Sequence, residues 1–296
     1  MQFIPAKTIL QKVKFNGNLW FGIDYNINLY KGCNQGCIYC DSRSARYYID
    51  DFDCVHVKEN CLAILTKELS RKMPRGVIGL GAMSDSYNHY EKNLQVTRGT
   101  LALIERYGFG VSLETKRDLV TRDIDILKRI SEKSSCILKL SITTSDDSLA
   151  RKIEPFASLP SERFRAIRQL SDNGIFTGVL LTPVLPFITD SDENIKNIVR
   201  LAHEHGAKFI FSLFGVTLRD IQRDHFFEKL ERYFPMLKQQ YMMTYSDRYQ
   251  CNIPDMARKR ALFINECEKY GLLYRMDEII AAYKQDQPEP EQLRLF

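Results

Sequence analysis

The chain has 296 residues, of which 44% are hydrophobic, with eight cysteines, one tryptophan and a formal net charge of +5. This is enough for one large domain or two small ones, with an ample core that needs no covalent staples. No apolar run reaches the roughly 18 residues of a membrane span, and Met1–Lys7 lacks the basic and apolar regions of a signal peptide, so a cytoplasmic protein with reduced thiols is expected.

Residues 1–22 read as an irregular lead-in, and Ile23–Tyr30 alternates as a first strand. Asn60–Leu69 has apolar residues at helical spacing, with Asn60 as N-cap. A short apolar strand over Val77–Gly81, a helix over Thr97–Tyr107, a strand over Val111–Thr115, a helix over Arg122–Glu132 and a strand over Ile137–Thr143 follow. Ser161–Asn173 predicts a helix stopped by Gly174, Phe176–Leu181 a strand, Ser191–His205 a helix stopped by Gly206, and Lys208–Leu213 a sixth strand. Such alternation implies right-handed βαβ units on a parallel sheet, and six units are too few for a closed eight-strand barrel. The expected fold is therefore α/β, a partial (β/α)6 barrel over residues 23–215. Beyond Gly215 the pattern turns helical, with Arg219–Tyr233, Pro254–Tyr270 and Met276–Tyr283. This C-terminal extension over 216–284 could close the open side of the barrel or present a substrate surface. Residues 285–296 read as a flexible tail.

Between the first strand and the first helix lies Cys33-Asn34-Gln35-Gly36-Cys37-Ile38-Tyr39-Cys40, a Cys-x3-Cys-x2-Cys spacing. Thiolates this close, on a backbone that Gly32 and Gly36 let fold tightly, can converge on one face of a metal site. A four-iron cubane with three protein ligands keeps one iron open for chemistry. The competing reading is a structural zinc knot, which needs four donors in a closed tetrahedron, the fourth being Cys54 or His56.

The motif resembles that of the radical S-adenosylmethionine (SAM) superfamily. The resemblance implies a (β/α)6 barrel, Cys33, Cys37 and Cys40 as ligands of a 4Fe-4S cluster, and Tyr39 flanking the adenine of SAM. It also implies an electron donor such as flavodoxin or ferredoxin, and reductive cleavage of SAM to a 5'-deoxyadenosyl radical that removes hydrogen from the substrate.

In a parallel barrel the chemistry gathers at the C-terminal ends of the strands. Those ends carry Ala82-Met83-Ser84-Asp85, Glu114-Thr115-Lys116, Ser141-Ile142-Thr143-Thr144 and Thr182-Pro183. SAM needs a cation for its carboxylate, acceptors for its ribose hydroxyls and a hydrogen bond to its amino group. Lys116 suits the first, Ser141 and Thr143 the second, Ser84 or Asp85 the third, with Glu154 and Arg163 as further candidates. Helix capping accounts for Ser84, Asp85 and Thr144 equally well, and a surface ion pair for Glu154 and Arg163.

Ser84-Asp85-Ser86-Tyr87, Glu91-Lys92, Thr97-Arg98, Thr115-Lys116 and Ile153-Glu154-Pro155 are similar to motifs of the spore photoproduct lyase-like group. The enzyme that gives the group its name fragments a thymine lesion in DNA and returns hydrogen through a cysteine two residues before the Ser-Asp pair. Here that position is Ala82, and Asp41 stands where a tyrosine follows the last cluster cysteine. Cys136, Cys251 and Cys267 could replace the relay only if folded toward the mouth. Tyr47, Tyr48, Tyr87, His89 and Tyr90 could stack on an extruded base or simply pack. Mild basicity bears on nucleic acid only where charge clusters; Arg43 with Arg46, Lys116 with Arg117, Arg151 with Lys152, and Arg258-Lys259-Arg260 are the candidates, each also readable as a solvated face.

Gln292-Leu293-Arg294-Leu295-Phe296 is similar to the peptide with which bacterial polymerases and repair proteins dock on the DNA sliding clamp, making Gln292, Leu293, Leu295 and Phe296 candidate clamp contacts. The favoured expectation is a lyase-like radical SAM enzyme acting on damaged or modified DNA. The alternatives are the same chemistry on RNA, a peptide or a small metabolite, and a non-catalytic zinc-stabilised adaptor that binds the clamp.

Overall fold

A computed structural model describes residues 1–14 and 20–284. Six strands lie side by side in chain order, all parallel: β1 Tyr25–Ile27, β2 Val77–Leu80, β3 Gly110–Thr115, β4 Cys136–Ser141, β5 Phe176–Leu181 and β6 Phe209–Ser212. Leu10–Lys12 pairs antiparallel with the free edge of β1. Among the described residues no ladder joins that edge to β6, so the sheet is the open arc of a partial (β/α)6 barrel.

The five longest crossover helices are α1 Cys61–Leu69, α2 Val96–Arg106, α3 Ile124–Ser131, α4 Pro160–Asp172 and α5 Asp192–Glu204, with shorter helical turns at Glu91–Leu94 and Asp147–Ile153. Their buried stripes, among them Leu65, Leu101, Leu127, Ile167 and Ile198, pack on the outward strand residues Leu113, Leu138, Leu140 and Val179. Each such side chain contributes about 1.5–3 kcal/mol on burial. Ser191 Oγ caps α5 by accepting from Asn194 N at 3.2 Å, and Gly174 and Gly206 follow α4 and α5 at φ +75° and +79°.

Several boundaries differ from the sequence reading. The expected strand Ile23–Tyr30 is split, because Tyr30–Lys31 leaves the barrel to pair with His56–Lys58 in a second sheet. Gln2–Ile4 joins that sheet, so the lead-in is not wholly irregular. Asn60 stands before α1 at φ 52° and its side chain makes no capping bond.

Four helices follow the barrel: α6 Asp220–Tyr233, α7 Pro235–Tyr245, α8 Met256–Tyr270 and α9 Met276–Lys284. Pro254 precedes α8 rather than opening it. The sequence gives no stripe for α7, which buries only Tyr241 and Tyr245 while Met236 and Met243 stand exposed. α8 lies along α5, held by Lys259–Asp190 and Arg258–Asp192 ion pairs at 2.6 Å, so two members of that basic cluster are already paired. Inward-facing Val77, Ile137, Leu180 and Phe209 meet Phe21 and Ile280 at the bottom of the barrel. There α9 fastens the turn Trp20–Gly22 across the open side: Tyr283 Oη donates to Phe21 O and Lys284 Nζ to Gly22 O, each at 2.5 Å. No described helix is long and apolar enough to cross a membrane. The peptide 292–296, with the candidate clamp contacts Gln292, Leu293, Leu295 and Phe296, lies outside the described residues.

Candidate active site

The cysteine loop leaves the second sheet at Gly32 (φ +79°), where a Cβ would sit 2.4 Å from Cys54 O. Cys33 N donates to Phe52 O at 2.8 Å and Ile38 N to Ile153 O at 3.0 Å, fixing both ends of the turn. The loop sets Cys33, Cys37 and Cys40 on the wall of a cleft with about 450 Å³ of free space at the ends of β2–β4, facing Ser84, Glu114, Lys116 and Ser141. Burial pushes the Cys33 thiol up to about 12, with Asp85 and Cys40 adding to it. Burial also raises Cys37 and Cys40, against the pull of Lys116. A metal that binds these groups as thiolates must therefore displace their protons.

Among the described residues no three His, Cys, Asp or Glu side chains gather round a single point. One zinc ion with bonds of about 2.3 Å draws its sulfurs to within about 3.8 Å of each other, whereas a cubane meets each thiolate at a different iron. Neither Cys54 nor His56 lines the cleft, so the zinc reading lacks its fourth ligand here.

A second cleft of about 850 Å³ continues inward toward β5 and β6, bounded by Trp20, Tyr39, Leu180, Pro183, Leu213 and Val216. Lys116, Glu114, Ser141 and Ala82 stand on the boundary and line both. The Lys116 ammonium lies 5.8 Å from the centre of the Tyr39 ring. Burial works against its charge while the neighbouring Glu154 carboxylate favours it, and on balance its pKa is raised. Ser84 Oγ and Gln35 Oε1 are buried with no hydrogen-bond partner. An orphaned hydroxyl, an orphaned amide oxygen and a cation beside three thiols fit an amino-acid ligand bound next to an iron–sulfur cluster.

A family model for the radical SAM superfamily matches residues 27–202, more than half of the chain. The chain belongs to the radical SAM superfamily. An uncharacterized protein of Mycobacterium tuberculosis is 30% identical over 249 residues, covering 82% of this chain and 72% of that protein. The fold is similar to spore photoproduct lyase complexed with dinucleoside spore photoproduct, at TM-score 0.65 and 15% identity over 92% of this chain and 81% of the other. A mutant of that lyase with bound AdoMet and dinucleoside spore photoproduct matches at TM-score 0.62 and 16% identity, over 85% and 76% of the two chains.

Within this radical SAM site the expected residues divide in two. Cys33, Cys37, Cys40, Ser84, Lys116 and Ser141 line the first cleft, and Tyr39 lines the second. Asp85 also borders the first cleft, but its carboxylate already accepts from Tyr87 N, Thr115 Oγ1, Lys116 N and Gln35 Nε2 at 2.7–3.2 Å. It braces three loops and has little capacity left for a ligand. Glu154, Arg163 and Thr143 lie behind the wall instead of on it. Glu154 accepts from Tyr39 Oη and, at 2.5 Å, from Arg163 Nη2, while Arg163 also donates to Ser141 O and Ser158 O. These two form a fully buried pair, not a surface one.

Of the expected aromatics, Tyr87 is buried with its hydroxyl on Asp123, Tyr47 donates to Asp41, and Tyr48 is exposed. Cys136, Cys251 and Cys267 are buried away from both clefts, whose only cysteines are the three in the loop. Three residues here escaped the sequence reading. Gln35 sits inside the cysteine motif, where position alone pointed to it. Trp20 comes from a turn in the lead-in. Gln222 of α6 is fully buried and donates to Tyr39 O and Thr217 O at 3.2 and 3.0 Å, a role that no motif signals.

Proposed function

We propose that this radical SAM enzyme belongs in function to the spore photoproduct lyase-like group, with Cys33, Cys37 and Cys40 holding a 4Fe-4S cluster and with nucleic acid, damaged or modified DNA first, as substrate. The observation that carries the reading is the meeting of three thiols, a cation and an orphaned hydroxyl on one wall that opens into a second, roomier cleft. When bound, cluster and SAM supply reductive sulfonium cleavage and hydrogen-atom abstraction. Lys116 pairs with the carboxylate of SAM, Ser84 and Gln35 Oε1 accept from its amino group, Ser141 meets a ribose hydroxyl, and Tyr39 flanks the adenine. Leu180, Pro183 and Val216 give the inner cleft an apolar wall that limits water at the reacting centre. Electrons come from a small cytoplasmic donor of the flavodoxin or ferredoxin class. A lyase neighbour with bound AdoMet and a dinucleoside lesion supports both the cofactor and the substrate class.

The test is anaerobic reconstitution, dithionite reduction with SAM, and quantification of 5'-deoxyadenosine in wild type and Cys37→Ala. Cleavage lost in the variant, and raised in the wild type by lesion-bearing DNA, is expected. A full, reducible cluster that cleaves no SAM would overturn the assignment.

Ala82, and the absence of a fourth cysteine from either cleft, favour a second reading in which the same chemistry acts on RNA, a peptide or a small metabolite. We also propose that residues 292–296 bind the sliding clamp. Deleting them should abolish co-elution with a clamp while leaving SAM cleavage intact.

A further inference from the structure

Four buried acids near the mouth are saturated. Asp85 accepts from four donors, Glu91 from Tyr30 Oη, Thr97 N and Arg122 Nη2, Asp123 from Arg98, Arg122 and Tyr87, and Glu154 from Tyr39 and Arg163. Glu114 differs. It faces both clefts, the Lys139 ammonium meets its buried oxygen Oε2 at 3.2 Å as its sole cationic neighbour among the described residues, and no described donor reaches its other oxygen, Oε1. Lys139 is itself 2% exposed on β4, with its ammonium 4.5 Å from the Phe21 ring centre and 5.9 Å from that of Trp20. The other four acids have a donor on each carboxylate oxygen, whereas Glu114 is contacted on Oε2 alone, which leaves Oε1 to accept from a group entering the clefts.

We infer that Glu114 is a specificity-determining residue that accepts hydrogen bonds from the N–H edge of a planar heterocycle entering the inner cleft beside Trp20. This rests on the nucleic-acid reading and names the part of the substrate that is recognised. A carboxylate selects donors and repels acceptors, so the edge must carry N–H groups, as nucleobases do. The indole face and the apolar wall of Leu180 and Pro183 suit the flat ring behind that edge.

Trp20 is the only tryptophan in the chain, so its fluorescence reports directly on this cleft. Thymidine and its N3-methyl analogue, which lacks the N–H, would be titrated into the reconstituted, SAM-loaded protein. Wild type should bind thymidine at least about tenfold more tightly than the analogue, as expected for a hydrogen bond to a charged group. Glu114→Gln should erase that preference while binding SAM, measured by equilibrium dialysis, as wild type does. The neutral double variant Glu114→Gln with Lys139→Met, which leaves no buried charge unpaired, should behave alike, and its unfolding curve guards against a folding defect. A preference that survives in Glu114→Gln overturns the inference while leaving the nucleic-acid reading in place. Loss of SAM binding in Glu114→Gln overturns it by making Glu114 a cofactor ligand. If thymidine and single-stranded DNA both leave Trp20 unperturbed, the nucleic-acid reading falls first and the inference with it.

Discussion

The phenol of Tyr39, the residue between two of the loop cysteines, donates to Glu154 Oε1, a carboxylate 115 residues away in sequence. Arg163 holds the other oxygen of Glu154 at 2.5 Å and reaches on to the Ser141 carbonyl. One buried ion pair thus sets the aromatic wall and the end of β4 together. Arg163→Met leaves Glu154 charged and unpaired, and should cost about 3–5 kcal/mol in urea unfolding. Tyr39→Phe, which only frees one lone pair, should cost about 1–3 kcal/mol. Equal losses in the two variants would contradict this account.

Ser84 and Asp85 are neighbours with opposite expected outcomes. Ser84→Ala removes a hydroxyl that bonds to nothing in the fold. Stability should stay within about 0.5 kcal/mol while SAM binding weakens by about 0.5–1.5 kcal/mol. Asp85→Asn turns an amide donor toward groups that already donate, so unfolding should become easier by about 1–3 kcal/mol. Equilibrium dialysis and urea titration of both variants check the pair.

Gln222 fastens α6 to the cysteine loop through Tyr39 O, and Asp220 does the same through Ser44 Oγ at 2.8 Å and Ala45 N at 3.2 Å. Gln222→Leu strands the Tyr39 and Thr217 carbonyls without a donor. We expect faster loss of iron to a chelator than in wild type, together with destabilisation of about 1–3 kcal/mol. An unchanged iron-release rate would show that the loop holds its shape without α6.

His225 of α6 is half-buried, its Nε2 has no partner, and burial together with Arg43 and Lys229 lowers its pKa from 6.5 to about 4. A histidine kept neutral by the fold takes up its proton more readily once unfolded. The unfolded state therefore binds more protons between those two values, and stability must fall as pH drops from about 6.5 toward 4. His225→Phe should flatten this part of the pH–stability curve; a curve as steep as the wild type's would place the acid sensitivity elsewhere.

The barrel was legible in the sequence because each strand and crossover helix carries its own periodicity and stop, as with Gly174 after α4 and Gly206 after α5. The cysteine loop and the residues at the strand ends were legible for a similar reason, since chemistry and position coincide in a short span. What escaped depends on contacts between distant segments. The saturation of Asp85 needs donors from three loops, the burial of the Glu154–Arg163 pair depends on β4, and α7 has no apolar stripe because it docks mainly through Tyr241 and Tyr245, with Leu237 beside them. Spacing along a chain carries no record of such meetings.

The contact between Tyr283 and Phe21 joins residues 262 apart in sequence. Such a contact forms only after residue 283 has left the ribosome, so during synthesis the barrel floor stays unsealed while every strand above it is already available. Contacts of this separation are slow to form. Maturation then has an order: the arc assembles first and its bottom is stoppered last. Nascent chains halted before Met276 should show strong amide protection in β2–β5 and little around Phe21, with protection there appearing only once residues 276–284 have emerged.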